Sequence, residues 1–338
     1  MSVIFENLSD DAELDRFVAQ NPKGTTFHTS AWKKALTLQG LRPLYLVARD
    51  RSGGMKAVVP FFLSPVSHGL AYVALSLPRS DLGGPLLDPS LQPETLSKPL
   101  ISAIRTEAFL QRIVMCTIVT NDPDTSSRLL PNSRVESPAL YANLDLKETP
   151  VKHIWDSIFT RDGRQRNNIR RIESDGVKTS FASESDLPDF YALYAKTIRR
   201  AGAPPYPYSF MQDMWTSMYP KYFNVLLTKE DGVLVGGSAF LTHPELRRLH
   251  MSFGAYSLET KSRNAINLFT WWRLLVWASE NGYDKIGLGT VSSAPDDPTL
   301  RFKRQFGAQV SKKYFIRHHT IPMPVISALR RFRDVIPS

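Results

Sequence analysis

Two stretches of the sequence decide its fold: PLYLVARDRSGGMKAVVPFFL at residues 43–63 and YFNVLLTKEDGVLVGGSAFLT at residues 222–242. Each contains an apolar segment, a charged turn with glycine and a second apolar segment, which is the pattern of a β-hairpin. The sequence therefore predicts two similar hairpins, one in each half of the chain.

The segments around the two hairpins repeat in the same order. A strand follows each hairpin, at 71–77 and at 249–255. Helix-like segments precede the hairpins, at 11–19 and 31–38 in the first half and at 187–200 and 210–218 in the second. This order predicts a duplicated α+β unit. A chance likeness between two common hairpins is the alternative.

Each half continues with a helix and then a strand. In the first half they are predicted at 93–109 and 112–120, and in the second half at 265–281 and 285–288. The tryptophans of the second helix lie at helical spacing, so we interpret them as core rather than cofactor lining. A chain of 338 residues is longer than the length at which a single hydrophobic core usually stops growing. We therefore predict domains at 1–148 and 149–323. A basic amphipathic helix is expected at 324–338, packed on the protein or, alternatively, in contact with a membrane.

The charge balance of +10, with an isoelectric point of 9.6, fits an anionic partner such as nucleic acid, a nucleotide-linked substrate or the inner face of a membrane. One cysteine, Cys116, excludes an internal disulfide, and the acidic N-terminus does not resemble a secretory signal. We expect a soluble, cytoplasmic protein, with peripheral contact at the inner face of the membrane as an additional hypothesis.

Several familiar sites are absent from the sequence. It contains no phosphate-binding GxxxxGK[ST] loop, no GxGxxG turn, and neither HExxH nor CxxC. The histidines show no spacing that would suit a metal. We therefore expect no metal site and no nicotinamide chemistry.

Five arginines fall within eleven residues of the run RDGRQRNNIRRIESDG at 161–176. Guanidinium groups bind phosphate oxygens in pairs, and helical spacing places Arg166 and Arg170, together with Arg164, on one side. We predict an anion-binding role for these three residues. The alternative is a solvated basic helix face.

Two further segments could shape a site. IRRAGAPPYP at 198–207 ends a helix in a rigid loop with Arg200 at its entrance and Tyr206 in it, which suits a substrate groove or a structural corner. The segment at 284–308 leads from a strand through small residues into a short helix with Phe302 and Lys303. A lysine beside aromatic side chains can stabilise developing negative charge.

Taken together, these segments resemble the Fem-type (FemABX) peptidyltransferases and the broader FemAB-related members of the GNAT superfamily. The resemblance runs from about residue 17 to about residue 315. It rests on GTTFHTSAWKKAL, GRQRNNIRRIESDGV, YAKTIRRAGAPPYPYSF and GLGTVSSAPDDPTLRFKRQFGA. It implies an α/β (α+β) fold of two tandem GNAT-like domains, each with a mixed sheet flanked by helices.

The resemblance also implies roles for single residues. Lys34, two places after the motif residue Trp32, and Arg200 would bind a phosphate-bearing precursor. Lys303 would stabilise an oxyanion, and Phe302 would position the acceptor. The resemblance also suggests Asp122 as a catalytic carboxylate; a turn-capping role before Pro123 is the alternative.

The implied reaction is transfer of an aminoacyl or acyl group, with aminoacyl-tRNA as the expected donor, to an amine of a cell-envelope precursor of peptidoglycan or polysaccharide type, without a resident cofactor. The stretch YSLETKSRNAINLF at 256–269 lacks the glycine turn by which acetyltransferases of this fold hold coenzyme A. The runner-up is a coenzyme-A-dependent N-acyltransferase. A domain that binds an anionic ligand without catalysis is the third hypothesis.

Overall fold

The computed structural model describes residues 4–160, 163–263, 265–294 and 296–320. Its strands are β1 (Ile4–Asn7), β2 (Arg42–Arg49), β3 (Met55–Val66), β4 (Ala71–Leu75), β5 (Leu86–Leu87), β6 (Ile113–Thr120), β7 (Arg134–Asp145), β8 (Lys178–Phe181), β9 (Phe223–Glu230), β10 (Val233–His243), β11 (Arg248–Tyr256), β12 (Lys285–Ser292) and β13 (Gln309–His319). Its α-helices are α1 (Asp11–Gln20), α2 (Ser30–Leu38), α3 (Pro93–Gln111), α4 (Pro123–Leu129), α5 (Val151–His153), α6 (Arg164–Ser174), α7 (Leu187–Arg200), α8 (Tyr208–Met218), α9 (Ile266–Glu280) and α10 (Pro298–Arg304). A π-helical turn, Ile154–Ile158, follows α5.

Both predicted hairpins are present, as the antiparallel pairs β2–β3 and β9–β10. The second hairpin turns at Asp231 and Gly232, whose φ angles are 51° and 80°. A two-residue turn with positive φ at both positions matches the twist of the flanking strands. In the first hairpin, the carboxylate of Asp50 accepts hydrogen bonds from the backbone N–H groups of Ser52 and Gly54.

The described residues form two compact units. Unit 1 comprises 4–30, Gly40–Ala139 and 312–320, and unit 2 comprises the described residues of Ala31–Gln39 and Leu140–Ser311. Unit 1 has the strand order β1-β2-β3-β4-β6-β13, with β5 beside β3, and unit 2 has the order β8-β9-β10-β11-β12.

The strands of the two units repeat the same directions. Neighbours from β1 to β4 are antiparallel and β4–β6 is parallel; neighbours from β8 to β11 are antiparallel and β11–β12 is parallel. A long helix precedes the last of these strands in each unit, α3 before β6 and α9 before β12. The predicted duplication is therefore confirmed.

Each unit also contains a strand from the other half of the chain. Residues 140–145 of β7 lie beside β12, where the N–H of Leu146 donates to the carbonyl oxygen of Asp284. In unit 1, β13 pairs antiparallel with β6. The compact units thus exchange strands, whereas the predicted domains at 1–148 and 149–323 follow chain order and stay predictions.

Each unit has its own apolar core. In unit 2 the core includes Trp271 and Trp272, 9% and 7% exposed, with Trp277 packed against it, as the spacing predicted. Across the described chain, no helix combines the length and apolar character needed to cross a membrane. The helix predicted at 324–338 lies outside the described residues.

Candidate functional site

In unit 2 the parallel strands β11 and β12 separate toward their carboxyl ends. Their pairing ends at His250 and Gly287, although β11 continues to Tyr256 and β12 to Ser292. Ligands of open α/β sheets bind outside the carboxyl ends of the strands. This separation, called the strand opening below, is therefore the place where a site is expected.

Gly287 sets the point at which the strands separate. A Cβ added there would lie 2.3 Å from Nδ1 of His250 and 2.3 Å from the hydroxyl oxygen of Tyr141. These two atoms are themselves hydrogen-bonded over 3.3 Å, and both side chains are buried. Only a glycine leaves room for this contact beneath the strand opening.

The short helix α10 is tied to the end of β12 by Asp297. The carboxylate accepts hydrogen bonds from the N–H groups of Thr299 and Leu300 at the start of α10 and of Ser292 at the end of β12. Burial opposes ionisation of Asp297, but the N–H donors outweigh burial and lower the pKa of its carboxyl group. An ionised cap thus fixes the helix that carries Phe302 and Lys303.

Lys303 is buried, with 4% of its surface exposed. Its Nζ donates to the carbonyl oxygens of Gly289 and Thr290, over 3.2 and 3.3 Å. Consecutive carbonyls of a regular strand point to opposite sides. Gly289 departs from regular strand geometry, with a φ of 85°, and at this place one ammonium reaches both carbonyls. Lys303 therefore lies on the part of β12 that borders the strand opening.

Phe302 is held by aromatic contacts on the other side of α10. Its ring meets that of Trp271 edge to face at 5.0 Å and that of Phe306 at 5.5 Å. Phe302 remains partly exposed, and it lines a cavity. One helix thus presents Phe302 to the cavity and Lys303 to β12.

The cavity has a volume of about 390 Å³ and lies at the start of α6, the end of β11, the start of α9 and on α10. Its lining consists of two arginines, four side-chain amides, a tyrosine and two apolar residues: Arg164, Arg263, Gln165, Asn168, Asn267, Gln305, Tyr256, Leu268 and Phe302. Among these described lining residues there is no carboxylate. Such a lining suits a phosphate or another anion.

Arg200 lies beside the cavity rather than in its lining. Its guanidinium group lies over the ring of Tyr256, 4.6 Å from the centroid, and donates to the Tyr256 carbonyl oxygen over 3.3 Å. The hydroxyl of Thr197 also contacts the backbone of Tyr256. The loop-entrance arginine thus contacts a residue that lines the cavity.

The three arginines of α6 that the sequence singled out divide between two places. Arg164 lines the cavity, whereas Arg166 and Arg170 lie over the ring of Trp155, 5.3 and 5.6 Å from its centroid. Trp155 in turn stacks on Trp272 at 5.0 Å. The structure therefore places two of the three predicted anion-binding arginines on an aromatic platform and one in the cavity.

Trp32, Lys34 and Tyr206 lie elsewhere in unit 2. Trp32 is 2% exposed and packs edge to face on Phe210 at 5.9 Å. Tyr206 contacts the same ring at 5.6 Å and is 40% exposed, and Lys34 is exposed on α2. Trp32 is thus a core residue that anchors α2, while Tyr206 reaches the surface.

Asp122, in unit 1, caps the start of α4. Its carboxylate accepts from the N–H and the hydroxyl of Thr125 and forms an ion pair with Lys23. Burial opposes ionisation, but the bonds from Lys23 and Thr125 outweigh it and lower the pKa of Asp122. This is the geometry of the capping alternative.

Sequence reasoning missed part of the cavity lining. Arg263, Asn267, Gln305 and the side chain of Tyr256 were not singled out from the sequence. Arg263, Asn267 and Tyr256 lie in the stretch that was noted for its missing glycine turn. The available signal in the sequence was Arg263, an arginine just before the helix α9. No group of three or more metal-ligating side chains occurs among the residues that the structure describes.

The sequence matches no family model and no curated protein. Solved structures do match. A crystal structure of FemX has a TM-score of 0.74 at 14% identity, covering 97% of this chain and 99% of that one. L-PGS from Bacillus licheniformis has a TM-score of 0.58 at 15% identity, covering 95% of each chain.

A tandem GNAT protein from the clavulanic acid biosynthesis pathway has a TM-score of 0.58 at 12% identity, covering 95% of this chain and 99% of that one. The predicted tandem GNAT-like fold is confirmed, and the resemblance to Fem-type proteins is confirmed at the level of the fold.

Proposed function

We propose that this protein transfers an aminoacyl group from a phosphate-bearing carrier to an amine. The observation that carries the proposal is the placement of α10. This helix presents Phe302 to a cavity lined by two arginines and places the buried Lys303 on β12, at the strand opening. The cavity would hold the phosphate groups of the carrier, and the ester to be attacked would reach the strand opening.

The chemistry is attack of a neutral amine on an ester carbonyl carbon. A C–N bond forms, the carbonyl oxygen becomes an oxyanion, and the C–O bond then breaks while the leaving oxygen takes up the proton lost by the amine. The ammonium of Lys303 would stabilise the oxyanion. A preorganised donor in such a place contributes about 2.7–4 kcal/mol.

Aminoacyl-tRNA is the donor we propose, with coenzyme A as the alternative. A backbone turn for a pyrophosphate needs glycine, and the segment from Tyr256 to the start of α9 has none. Arg263 in that segment and Arg164 on α6 would bind phosphate with side chains instead. A further structural neighbour, with a TM-score of 0.59 at 13% identity, is the C-terminal domain of a protein from Agrobacterium fabrum that is named as a lysylphosphatidylglycerol synthetase.

The acceptor we propose is an amine of a cell-envelope precursor that also carries phosphate. Arg200 supports this assignment because it lies over Tyr256 at the margin of the cavity. Lys34, exposed on α2, would contribute a second cation. The formal net charge of the chain, +10, agrees with two anionic substrates.

The test supplies two donors separately to the full-length protein, namely tRNA charged with a labelled amino acid and labelled acetyl-coenzyme A. Candidate envelope precursors with a free amine are added to each. We expect an amide product from charged tRNA, lost in the Lys303→Met variant. Transfer from acetyl-coenzyme A alone would establish the alternative donor, and absence of transfer from both donors would contradict the proposal.

A further inference from the structure

One end of unit 1 exposes three large apolar side chains. Leu70, just before β4, is 70% exposed; Phe109 and Leu110, in the last turn of α3, are 86% and 63% exposed. Single exposed apolar residues are ordinary, but contiguous ones mark contact surfaces. These three residues are called the apolar tip below.

The strand register brings the three residues to the same edge of the sheet. β4 and β6 are parallel, so the turns that lead into them lie at the same edge. The N–H of Tyr72 donates to the carbonyl oxygen of Arg112 over 2.9 Å, which joins the two turns directly. Leu70 lies two residues before Tyr72, and Phe109 and Leu110 lie just before Arg112. This is the edge opposite the carboxyl ends of the two strands.

Exposed cations surround the apolar tip. Arg112 follows α3, and Arg105 lies one helical turn before Phe109. The guanidinium of Arg42 donates to the side-chain oxygen of Gln111 and lies over the ring of Tyr72, 4.9 Å from its centroid. The acidic residue of this helix end, Glu107, is 8% exposed and accepts from Asn7. The surface that faces solvent is therefore apolar and positively charged.

The described chain ends at the same edge. The N–H of Thr320 donates to the carbonyl oxygen of Val114 over 3.3 Å. The hydroxyl of Thr320 donates to the carbonyl oxygen of Ile113. The remaining sequence, 321–338, contains three arginines and one aspartate. A segment of positive charge does not complement a positively charged tip, whereas one anionic surface would attract both.

We propose that this edge of unit 1 docks on an anionic lipid bilayer, with Leu70, Phe109 and Leu110 entering the interface. Apolar side chains that enter the headgroup region strengthen membrane binding, and arginines that face anionic lipid strengthen it further. Contact that reaches only the headgroup region of the bilayer requires no membrane-spanning helix. The proposal is independent of the transfer reaction, since neither the strand opening nor the cavity contributes to it.

The first test measures binding of the full-length protein to vesicles of phosphatidylcholine alone and of phosphatidylcholine mixed with phosphatidylglycerol. We expect binding to the mixed vesicles that weakens with salt. The double variant Phe109→Ser, Leu110→Ser should bind about tenfold or more weakly. The matched control is Val233→Ser, because Val233 is 65% exposed at a hairpin turn of unit 2. It should bind as the wild type does.

The second test locates the contact. Burial raises the pKa of the lone Cys116 to about 12, so that thiol is unreactive at neutral pH. Phe109→Cys and Val233→Cys can therefore each be labelled selectively with an environment-sensitive dye. We expect a blue shift on addition of anionic vesicles at position 109 and none at position 233.

Any of four outcomes would overturn the proposal. The wild type could fail to bind the mixed vesicles, or the double serine variant could bind them as well as the wild type. The tip could instead be covered by a second copy or by residues 321–338. If a second copy covers the tip, sedimentation would show a dimer that the double variant loses. If residues 321–338 cover the tip, the dye at position 109 would be shielded without vesicles and exposed on truncation after Thr320.

Discussion

Nζ of Lys303 donates to the carbonyl oxygen of Gly289 over 3.2 Å, at a residue whose φ of 85° departs from regular strand geometry. The next carbonyl, that of Thr290, accepts from the same ammonium over 3.3 Å. Neither of these two acceptors carries a formal charge, and the two bonds orient the ammonium. A cation held in this way is suited to meet an oxyanion that forms in the strand opening.

Replacement of Lys303 by methionine should abolish most of the transfer activity while the fold is kept. Methionine fills similar space but removes the donor to the carbonyl oxygens of Gly289 and Thr290, so the free energy of unfolding should fall by about 1–3 kcal/mol without loss of the fold. Loss of one oxyanion donor lowers kcat by about 10²–10³ with a smaller change in KM.

Lys285→Met is the matched control for this variant, since Lys285 is an exposed lysine on β12. It should retain activity in a steady-state assay with the donor that the transfer experiment identifies. Equal activity of the Lys303→Met and Lys285→Met variants would remove Lys303 from the mechanism.

Gly287→Ala should destabilise unit 2. The new Cβ would lie 2.3 Å from both His250 Nδ1 and the Tyr141 hydroxyl, so one buried side chain must move. Overpacking of this kind costs about 1–3 kcal/mol. Gly254→Ala is the control on the neighbouring strand, because nothing lies within 4 Å of its added Cβ. Urea denaturation of both variants measures the difference; equal midpoints would contradict the predicted clash.

Arg164→Gln and Arg263→Gln should each weaken binding of inorganic pyrophosphate to the cavity. A hydrogen bond to a charged group contributes about 1.5–3 kcal/mol, which corresponds to about tenfold or more in Kd. Arg171→Gln is the control, since Arg171 is exposed on the same helix and does not line the cavity. Titration calorimetry at low and moderate salt measures the effect. Weakening by Arg171→Gln alone would place the anion on the solvated face of α6 instead.

Asp122→Asn should leave transfer activity unchanged. Asparagine still caps a helix, and only the ion pair with Lys23 is lost. Asp122→Ala removes the cap as well and should lower the free energy of unfolding by about 1 kcal/mol. Activity assays and denaturation of the two variants separate the roles. A large loss of activity in Asp122→Asn, without loss of stability, would make this carboxylate catalytic.

Asp88→Asn should lower stability at neutral pH but not in strong acid. Hydrogen bonds from Ser90, followed by the bond from Lys56, lower the pKa of Asp88 from 3.8 to about 2. A lowered pKa means that the ionised group stabilises the fold above the unfolded value of 3.8. That contribution is lost as the pH falls toward 2 and, after screening at this partly exposed site, amounts to about 1 kcal/mol. Denaturation of wild type and variant across this range should show the two stabilities converging; a constant difference would contradict the assignment.

Most of the secondary structure was predictable because its signals are local. The Asp231–Gly232 turn has the residue types that its positive φ angles require, and the order of elements around it occurs twice. Lys303 and Phe302 were also found from their segment. The cavity was found only in part, since Arg164 was named while Arg263, Asn267 and Gln305 were not.

By itself, the sequence determined the two hairpins, the helices that flank them and the repeated order of the halves, because turn chemistry and apolar periodicity act between near neighbours in the chain. Only the tertiary structure decided that residues 140–145 lie beside β12, that β13 pairs with β6, and that Arg164 and Arg263 line one cavity. These relations join residues far apart in the chain. They depend on which strand edges and helix ends meet when the cores form, and no local pattern encodes that choice.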